Sequence, residues 1–375
     1  MLVLAAPVAA GAPLRVPALT RIASKASGLR VKSPPRVVVL GKAAMQQEAL
    51  SLLDRDYPLE QQAYDETLYR TLGLLPDDQT LRPFLVRQAG STPGLYDAVG
   101  RRIYLRAGSA QRRTLVRELV HALQDQSFGL RRLTALRPGR RDAALAGAAA
   151  VDGHAAFASK VRFGNGRPVA GPALGAFLAR ESGFGDTTGA PFISTLQNLG
   201  GRRAVFTALR RFPATTEQVL HIDAFLQREP AAPIALPTVI GKFGRTREDT
   251  FGELDVRALL AAFGVPRVDR AATGWGGGRT AVYRDPSGRQ AVVVALDLDE
   301  PADADQWSEA VTAYVDKAFD ADRPGLPATT PCSATACWSV GGRELAFQHD
   351  GVRTALVFGP AVADATALAQ QITSG

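Results

Sequence analysis

One short segment of the chain, residues 117–121, contains the side chains with the clearest chemical potential. It reads Arg-Glu-Leu-Val-His and differs at one position from H-E-x-x-H. In that motif two histidines on one face of a helix bind zinc, and the glutamate acts as general base on a zinc-bound water. Here Glu118 and His121 stand in the second and last positions, whereas Arg117 replaces the first histidine. A guanidinium has no lone pair to give to a metal, so one ligand is lost.

Four stretches around this motif resemble those of a known family. They read G-L-Y-D at 94–97, R-E-L-V-H-A-L-Q-D-Q at 117–126, V-D-G-H-A at 151–155 and T-T-E-Q-V-L-H at 215–221. They are similar to the G-x-Y-D, H-E-L-T-H-A-L-Q-D-Q, V-E-G-D-A and S-T-E-Q-V-L-H-P motifs of small predicted zinc metallopeptidases of bacteria and archaea. The resemblance covers roughly residues 40 to 320. It implies a zincin-like fold, zinc as the family's cofactor and peptide hydrolysis as its activity.

Two further positions of the implied site differ from the family. Asp152 stands where the resemblance implies a glutamate as third zinc ligand, and it is one methylene shorter. His154 replaces the family's aspartate. Because two residues on a helix are turned by about 200°, we do not expect His154 to share a face with Asp152 or to replace the lost ligand. The metal-binding candidates are therefore His121 and Asp152, and Glu118 is the candidate base.

Two other side chains each have a functional and a structural interpretation. His221, in the T-T-E-Q-V-L-H segment, could stabilise the oxyanion of a transition state or make a structural hydrogen bond. Asp125, four residues after His121, could orient the imidazole or lie on the helix surface.

The departures from the family lead to a physical hypothesis about charge. The guanidinium of Arg117 would take the space of the missing metal and pair with Asp152, or also with Glu118. We therefore favour a catalytically impaired pseudo-peptidase, without zinc, that acts in binding or in a structural role. The alternative is an active zinc-dependent peptidase with an atypical site of Glu118, His121 and Asp152. A third interpretation is an envelope protein that binds a polyanion through its net charge of +8.

The apolar pattern predicts the elements that position these side chains. Short strands at 94–97 and 102–105 flank a turn that contains glycine. A helix follows at 110–128, with Leu115, Leu119 and Leu123 at helical spacing and Gly129 at its end. A second, alanine-rich helix at 143–161 carries Asp152.

The whole chain is predicted to be an α+β protein in two parts. After a linker at 13–36, rich in Pro, Ser, Lys and Arg, we expect a zincin-like domain at 37–245 with a mixed sheet and the active-site helix. A smaller α+β module is expected at 246–375. Its predicted elements are a helix at 254–263, strands at 279–283 and 290–298, a helix at 304–319, strands near residues 337, 344 and 354, and a helix from 361.

Two features predict that the protein is secreted or held at the cell envelope. Residues 1–12 are apolar and end in small residues, which is typical of a secretory signal peptide. The only two cysteines, Cys332 and Cys337, are predicted to form a disulfide. Zinc binding by this pair is the weaker interpretation, because no second pair of ligands lies nearby.

The composition limits the classes of partner. A hydrophobic fraction of 46% and a charged fraction of 21% are typical of a folded protein, and no apolar run after the N-terminus is long enough for a transmembrane helix. The basic stretch from Arg131 to Arg141 is expected to be an exposed loop. Because no aromatic residues interleave with the arginines, we expect no nucleic-acid partner. A peptide or protein ligand is compatible with these features.

Overall fold

Helices and strands are mixed along the chain, which confirms the α+β class. The computed structural model describes residues 14–108, 111–134, 139–161, 173–319, 332–340 and 342–374, so the predicted signal peptide lies outside the described residues. The first elements are α1 (Val16–Ser27), β1 (Arg36–Leu40), α2 (Lys42–Asp56), α3 (Leu59–Thr71), α4 (Arg82–Ser91), β2 (Gly94–Asp97), β3 (Arg102–Arg106), α5 (Gln111–Phe128), α6 (Arg131–Thr134) and α7 (Arg141–Ser159).

The remaining elements begin with helices and end with most of the strands. They are α8 (Ala173–Phe184), a π-helical segment (Gly185–Gly189), α9 (Ala190–Arg210), α10 (Glu217–Leu220), α11 (Ile222–Gln227), β4 (Val239–Ile240), β5 (Phe243–Thr250), α12 (Glu253–Ala262), α13 (Val268–Ala272), β6 (Trp275–Arg284), β7 (Gln290–Leu298), α14 (Pro301–Ala318), β8 (Ala336–Val340), β9 (Arg343–Asp350), β10 (Arg353–Gly359) and α15 (Val362–Thr373).

A small sheet of order β1-β3-β2 precedes helix α5. Strand β1 is parallel to β3, and β2 is antiparallel to β3, so the prediction of a mixed sheet near residues 94–105 is confirmed. Ile103 and Leu105 of β3 lie in one core with Leu115, Leu119 and Leu123 of α5. This core fixes the face of α5 that points towards the sheet.

A larger antiparallel sheet has the strand order β4-β5-β6-β7-β10-β9-β8. Alternate side chains of a strand point to opposite faces, and both faces of β7 are buried. Val292 and Val294 lie in a core with residues of α3, α12 and α14, whereas Val293 and Ala295 lie in a second core with residues of α15. The sheet is therefore covered by helices on both sides.

The segment 13–36, expected to be a linker, contains a helix along half of its length. Residues Val16–Ser27 form α1, with Pro17 at its start, and Leu19 and Ala23 are buried one turn apart. They join the core that contains Leu115 of α5. The basic residues of this helix hid its short apolar stripe, which is stabilised by packing rather than by length.

The domain boundary expected at residue 246 falls inside strand β5. The run of polar residues from Arg245 to Asp249 concealed the strand, because a strand with only polar side chains lacks a clear apolar alternation. Moreover, Tyr64 and Leu68 of α3 belong to the same core as Val292 of the large sheet. Residues before 246 therefore complete the core of this sheet.

Arg141 is also not in the exposed loop where we expected it. It begins α7 and its guanidinium contacts Asp65, Glu181 and Asp255. These partners come from three distant segments, so local composition could not reveal them. The contacts tie the start of α7, which carries Asp152, to helices α3, α8 and α12.

The described residues bear on two of the expectations about location. Cys332 and Cys337 form the predicted disulfide, which is compatible with an oxidising compartment. Within the described ranges, no helix combines the length and the apolar character that crossing a membrane requires.

Candidate functional site

Helices α5 and α7 and the π-helical segment meet at the candidate site, and glycines allow their close approach. A Cβ atom added to Gly153 of α7 would lie 2.2 Å from the carbonyl carbon of Gly189, and one added to Gly189 would lie 2.1 Å from the carbonyl oxygen of Ala149. Real Cβ atoms do not come so close to backbone atoms. Only glycine at these positions allows the backbones to touch, and this contact brings the π-helical segment against Asp152.

Arg117 makes the shortest charged contact of the site with a residue that the sequence did not indicate. Its Nη1 atom donates hydrogen bonds to Oδ1 of Asp186 at 2.6 Å and to the carbonyl oxygen of Val161 at 2.9 Å. Its Nη2 atom is 3.9 Å from Oδ1 of Asp152. Arg117 and Asp186 are each only 5% exposed, whereas the side chain of Asp152 is 44% exposed. The expected Arg117–Asp152 pair is therefore longer and weaker than the pair with Asp186.

Asp186 lies in the segment Gly185–Gly189, outside the motifs that carried the resemblance. The local signal is an aspartate next to a glycine in a stretch rich in glycine, serine and threonine, which more often marks a turn. Its role as partner of Arg117 depends on the contact between α7 and the π-helical segment. We therefore regard Asp186 as a site residue that sequence reasoning missed.

Gln124 connects the two histidines of the site. Its Nε2 atom is 2.9 Å from the carbonyl oxygen of Val151 and 3.0 Å from Nδ1 of His154, and its Oε1 atom is 2.9 Å from Nδ1 of His121. Because the amide oxygen of Gln124 can only accept, Nδ1 of His121 carries the proton. The lone pair of His121 then lies on Nε2, which is 3.5 Å from Oδ1 of Asp152.

The residue that orients His121 is therefore Gln124 and not Asp125. Asp125 accepts hydrogen bonds from the hydroxyl of Tyr96 at 2.9 Å and from the backbone N–H of Leu130 at 2.7 Å. His154 is buried with its ring at right angles to that of Phe206.

Burial makes the two motif residues electrically neutral at neutral pH. It lowers the pKa of His121 to about 3, and the charge of Arg117 acts in the same direction. Glu118 is 3% exposed, and burial raises its pKa to about 8 against the opposing effect of Arg117. No hydrogen bond or ion pair joins the carboxyl of Glu118 to another described residue. A protonated carboxyl cannot accept a proton, so Glu118 is poorly prepared to act as a base.

The donor set at this site does not fit a catalytic zinc ion. Among the described residues, His121 and Asp152 place ligand atoms near one point, whereas the carboxylate of Asp186 is engaged by Arg117 and a guanidinium stands where a further ligand is needed. Catalytic zinc sites use three protein ligands, and a fixed positive charge opposes the binding of a cation. In the described part of the chain, no group of three His, Cys, Asp or Glu side chains is arranged to hold a metal ion.

His221 lies apart from the other predicted site residues. Its Nε2 atom is 3.0 Å from Oε1 of the buried Glu253, and this hydrogen bond raises the pKa of His221. Thr216, in the same segment as His221, donates a hydrogen bond to Asp142 at the start of α7. At 1.5 Å per residue, Asp142 lies about 15 Å along this helix from Asp152. Among the described residues, no hydrogen bond or ion pair joins His221 to Glu118 or His121. The geometry thus gives His221 a structural hydrogen bond and no place beside the candidate base.

Comparison with known proteins gives one match, which lies outside the Arg117 site. Residues 238–369 match a family described as Domain of unknown function (DUF8575). The matched part runs from just before β4 into α15 and contains the large sheet. No curated protein and no solved structure matches the chain.

Proposed function

We propose that this chain is an exported homologue of zincin metallopeptidases that has lost catalytic activity and acts in binding or in a structural role. The observation that carries the proposal is the position of the Arg117 guanidinium between Asp186 and Asp152, beside His121. A covalently attached cation there neutralises the carboxylates that a bound metal would otherwise neutralise. The ligand class that we propose is a peptide or a protein segment, in keeping with the resemblance to peptidases.

The electrostatics of the motif support a loss of catalysis. A general base must be ionised at the working pH, and the pKa of Glu118, raised to about 8, leaves most of its carboxyl protonated at neutral pH. A nearby metal would lower that pKa, but Arg117 already repels such an ion. The same substitution therefore removes a ligand and disfavours the active form of the base.

The alternative is an active zinc-dependent peptidase whose atypical site uses Glu118, His121 and Asp152. One observation favours it. The Nε2 lone pair of His121 is directed at the carboxylate of Asp152 over 3.5 Å, an arrangement in which a shared cation would be stabilising. Against it, these two ligands are one short of the usual set of a catalytic zinc site.

Metal content separates the two candidates. The purified full chain would be exposed to zinc, dialysed extensively and measured by elemental analysis, together with the variant Arg117→His/Asp152→Glu. We expect no retained zinc in the wild type and about one zinc per chain in the double variant, because it restores the full ligand set. The matched control is Arg113→His/Asp152→Glu, which adds a histidine to an exposed position one turn earlier on α5. This control should retain no zinc.

Two results would contradict the proposal. Close to one tightly held zinc in the wild type would favour the active peptidase, and cleavage of peptide substrates that is lost in Glu118→Gln would establish it. A metal-free Arg117→His/Asp152→Glu variant with a native circular dichroism spectrum would show that the helices do not form a zincin site.

A further inference from the structure

A second charged site lies between helices α10 and α11 and the loops that flank β6 and β7. It is a cleft of about 210 Å³, and its ionisable lining residues are Glu217, His221, Asp223, Glu229 and Asp299. Four carboxyl groups thus face one small volume, and no lysine or arginine is among the residues that line it. The cleft is separate from the Arg117 site, so binding in it does not depend on whether the chain has lost peptidase activity.

Glu217 distinguishes this cleft from an ordinary patch of surface acids. The residue is only 7% exposed and yet lines the cleft. Within the described chain, no hydrogen bond or ion pair engages its carboxyl group. A buried carboxyl without a partner costs free energy, which a positively charged ligand in the cleft would recover.

The neighbouring charges act in the same direction. Burial and the carboxylates of Glu253, Glu229 and Asp299 together raise the pKa of Glu217 to about 8. The guanidinium of Arg257, which acts on His221, is engaged by Glu253 and by Asp269. His221 acts on Glu217 in the opposite direction, but its Nε2 atom is already hydrogen-bonded to Glu253, so the negative potential of the remaining carboxyl groups is left for a ligand.

The size and distribution of the acceptors indicate the kind of cation. A volume of about 210 Å³ exceeds that of a bare metal ion and suits an alkylammonium or guanidinium group with part of its stem. The carboxyl groups come from α10, from α11 and from the segments that follow α11 and β7, and ammonium and guanidinium groups donate several hydrogen bonds in different directions. The described residues also contain no trio of His, Cys, Asp or Glu with the convergence that a metal ion needs.

We propose that the cleft lined by Glu217, His221, Asp223, Glu229 and Asp299 is a binding site for an organic cation with an ammonium or guanidinium group. Glu217 forms the floor contact with the cation, and Asp299 and Glu229 supply acceptors at the rim. The ligand is either the side chain of a lysine or arginine in a peptide or a free amine of similar size.

Isothermal titration calorimetry of the full chain at about pH 9 and low salt tests this site, because Glu217, whose pKa is raised to about 8, is mostly ionised there while ammonium and guanidinium groups keep their charge. The probes are acetyl-lysine methylamide, acetyl-arginine methylamide and 1,5-diaminopentane, with neutral acetyl-norleucine methylamide as the ligand control. We expect saturable binding of at least one cation and none of the norleucine compound. Tighter binding of the amino-acid derivatives identifies a basic peptide side chain as the ligand, and tighter binding of the diamine identifies a free amine.

Two variants connect the binding to the cleft. Glu217→Gln keeps the size of the side chain and removes its charge, so it should weaken binding about tenfold or more. Glu60→Gln makes the same change of net charge at a side chain that is 91% exposed, and it should change affinity less than about twofold. Circular dichroism spectra of both variants check that they are folded.

Three outcomes would overturn the proposal. One is the absence of binding for every organic cation up to about 10 mM. Another is an equal effect of Glu217→Gln and Glu60→Gln, which would show general charge attraction. The third is tight binding of Ca²⁺ or Zn²⁺ that displaces the amines and is lost in Glu217→Gln, which would make the cleft a metal site. None of these results bears on zinc retention by the Arg117→His/Asp152→Glu variant.

Discussion

The contact between Arg117 and Asp186 allows a quantitative test, because both residues are 5% exposed and their charged atoms are 2.6 Å apart. The perturbation is Arg117→Met, which keeps much of the side-chain volume and removes the charge. Asp186 then stays buried without its main counter-charge, and breaking a buried ion pair on one side costs about 3 to 5 kcal/mol.

The second single variant, Asp186→Asn, should cost less. Arg117 keeps its hydrogen bond to the carbonyl oxygen of Val161 and its weaker contact with the half-exposed Asp152. We expect a loss of about 2 kcal/mol for this variant. The double variant Arg117→Met/Asp186→Asn buries no unpaired charge from this pair, so it should be more stable than the sum of the single losses predicts, by about 2 kcal/mol or more.

The assay is urea unfolding at neutral pH, followed by circular dichroism and analysed by linear extrapolation for all four proteins. Arg113→Met is the matched control, because Arg113 is exposed on the same helix, and it should change stability by less than about 0.5 kcal/mol. The reasoning is refuted if Arg117→Met costs no more than this control, or if the losses of Arg117→Met and Asp186→Asn are additive.

Three further predictions concern burial, packing and the disulfide. The pKa of Glu118 is raised from 4.5 to about 8 in the folded chain, so its contribution to stability is full below the lower value and is lost as pH rises to about 8. In urea unfolding, the stability of Glu118→Gln relative to wild type should therefore increase by about 3 to 4 kcal/mol between pH 5 and pH 9. A stability difference between the two proteins that does not change with pH would contradict this. Gly153→Ala should destabilise the protein by about 2 kcal/mol or more, because the added Cβ would lie 2.2 Å from the backbone of the π-helical segment. The control Gly175→Ala in α8 should be neutral or stabilising, because an added Cβ there has no atom within 4 Å. Equal melting temperatures of the two variants would refute the packing argument. Cys332→Ser/Cys337→Ser should lower the free energy of unfolding by roughly 2 kcal/mol, since the disulfide closes a loop over a sequence separation of 5. A reductant should lower the melting temperature of the wild type and leave that of the double variant unchanged.

Much of the local structure could be predicted because it depends on neighbouring residues. The helix that carries Arg117, Glu118 and His121 was expected at 110–128 and runs from Gln111 to Phe128. The strands near residues 337, 344 and 354 correspond to β8, β9 and β10. In these segments, the apolar spacing and the secondary structure have the same period, so the pattern is sufficient.

The errors arose where packing overrode local composition. The expected linker contains α1, whose few apolar residues are buried against α5, and the expected loop ends at Arg141, whose charge is buried among distant carboxylates. Similarly, the charged residues of β5 made a strand look like a boundary. In each case, the stabilising partners come from other parts of the chain.

For the Arg117 site, the sequence by itself determined which side chains share a helix face and that an arginine stands where the H-E-x-x-H motif has its first histidine. These conclusions follow from residue types and from spacings of at most four residues. The tertiary structure alone decided that the main partner of Arg117 is Asp186, which is 69 residues away, and that His221 belongs to a different cleft. It also decided the protonation of Glu118 and His121, because a pKa depends on how much water and charge surround a group. The water and charge around these two side chains are set by the long-range contacts of α7 with α5 and the π-helical segment.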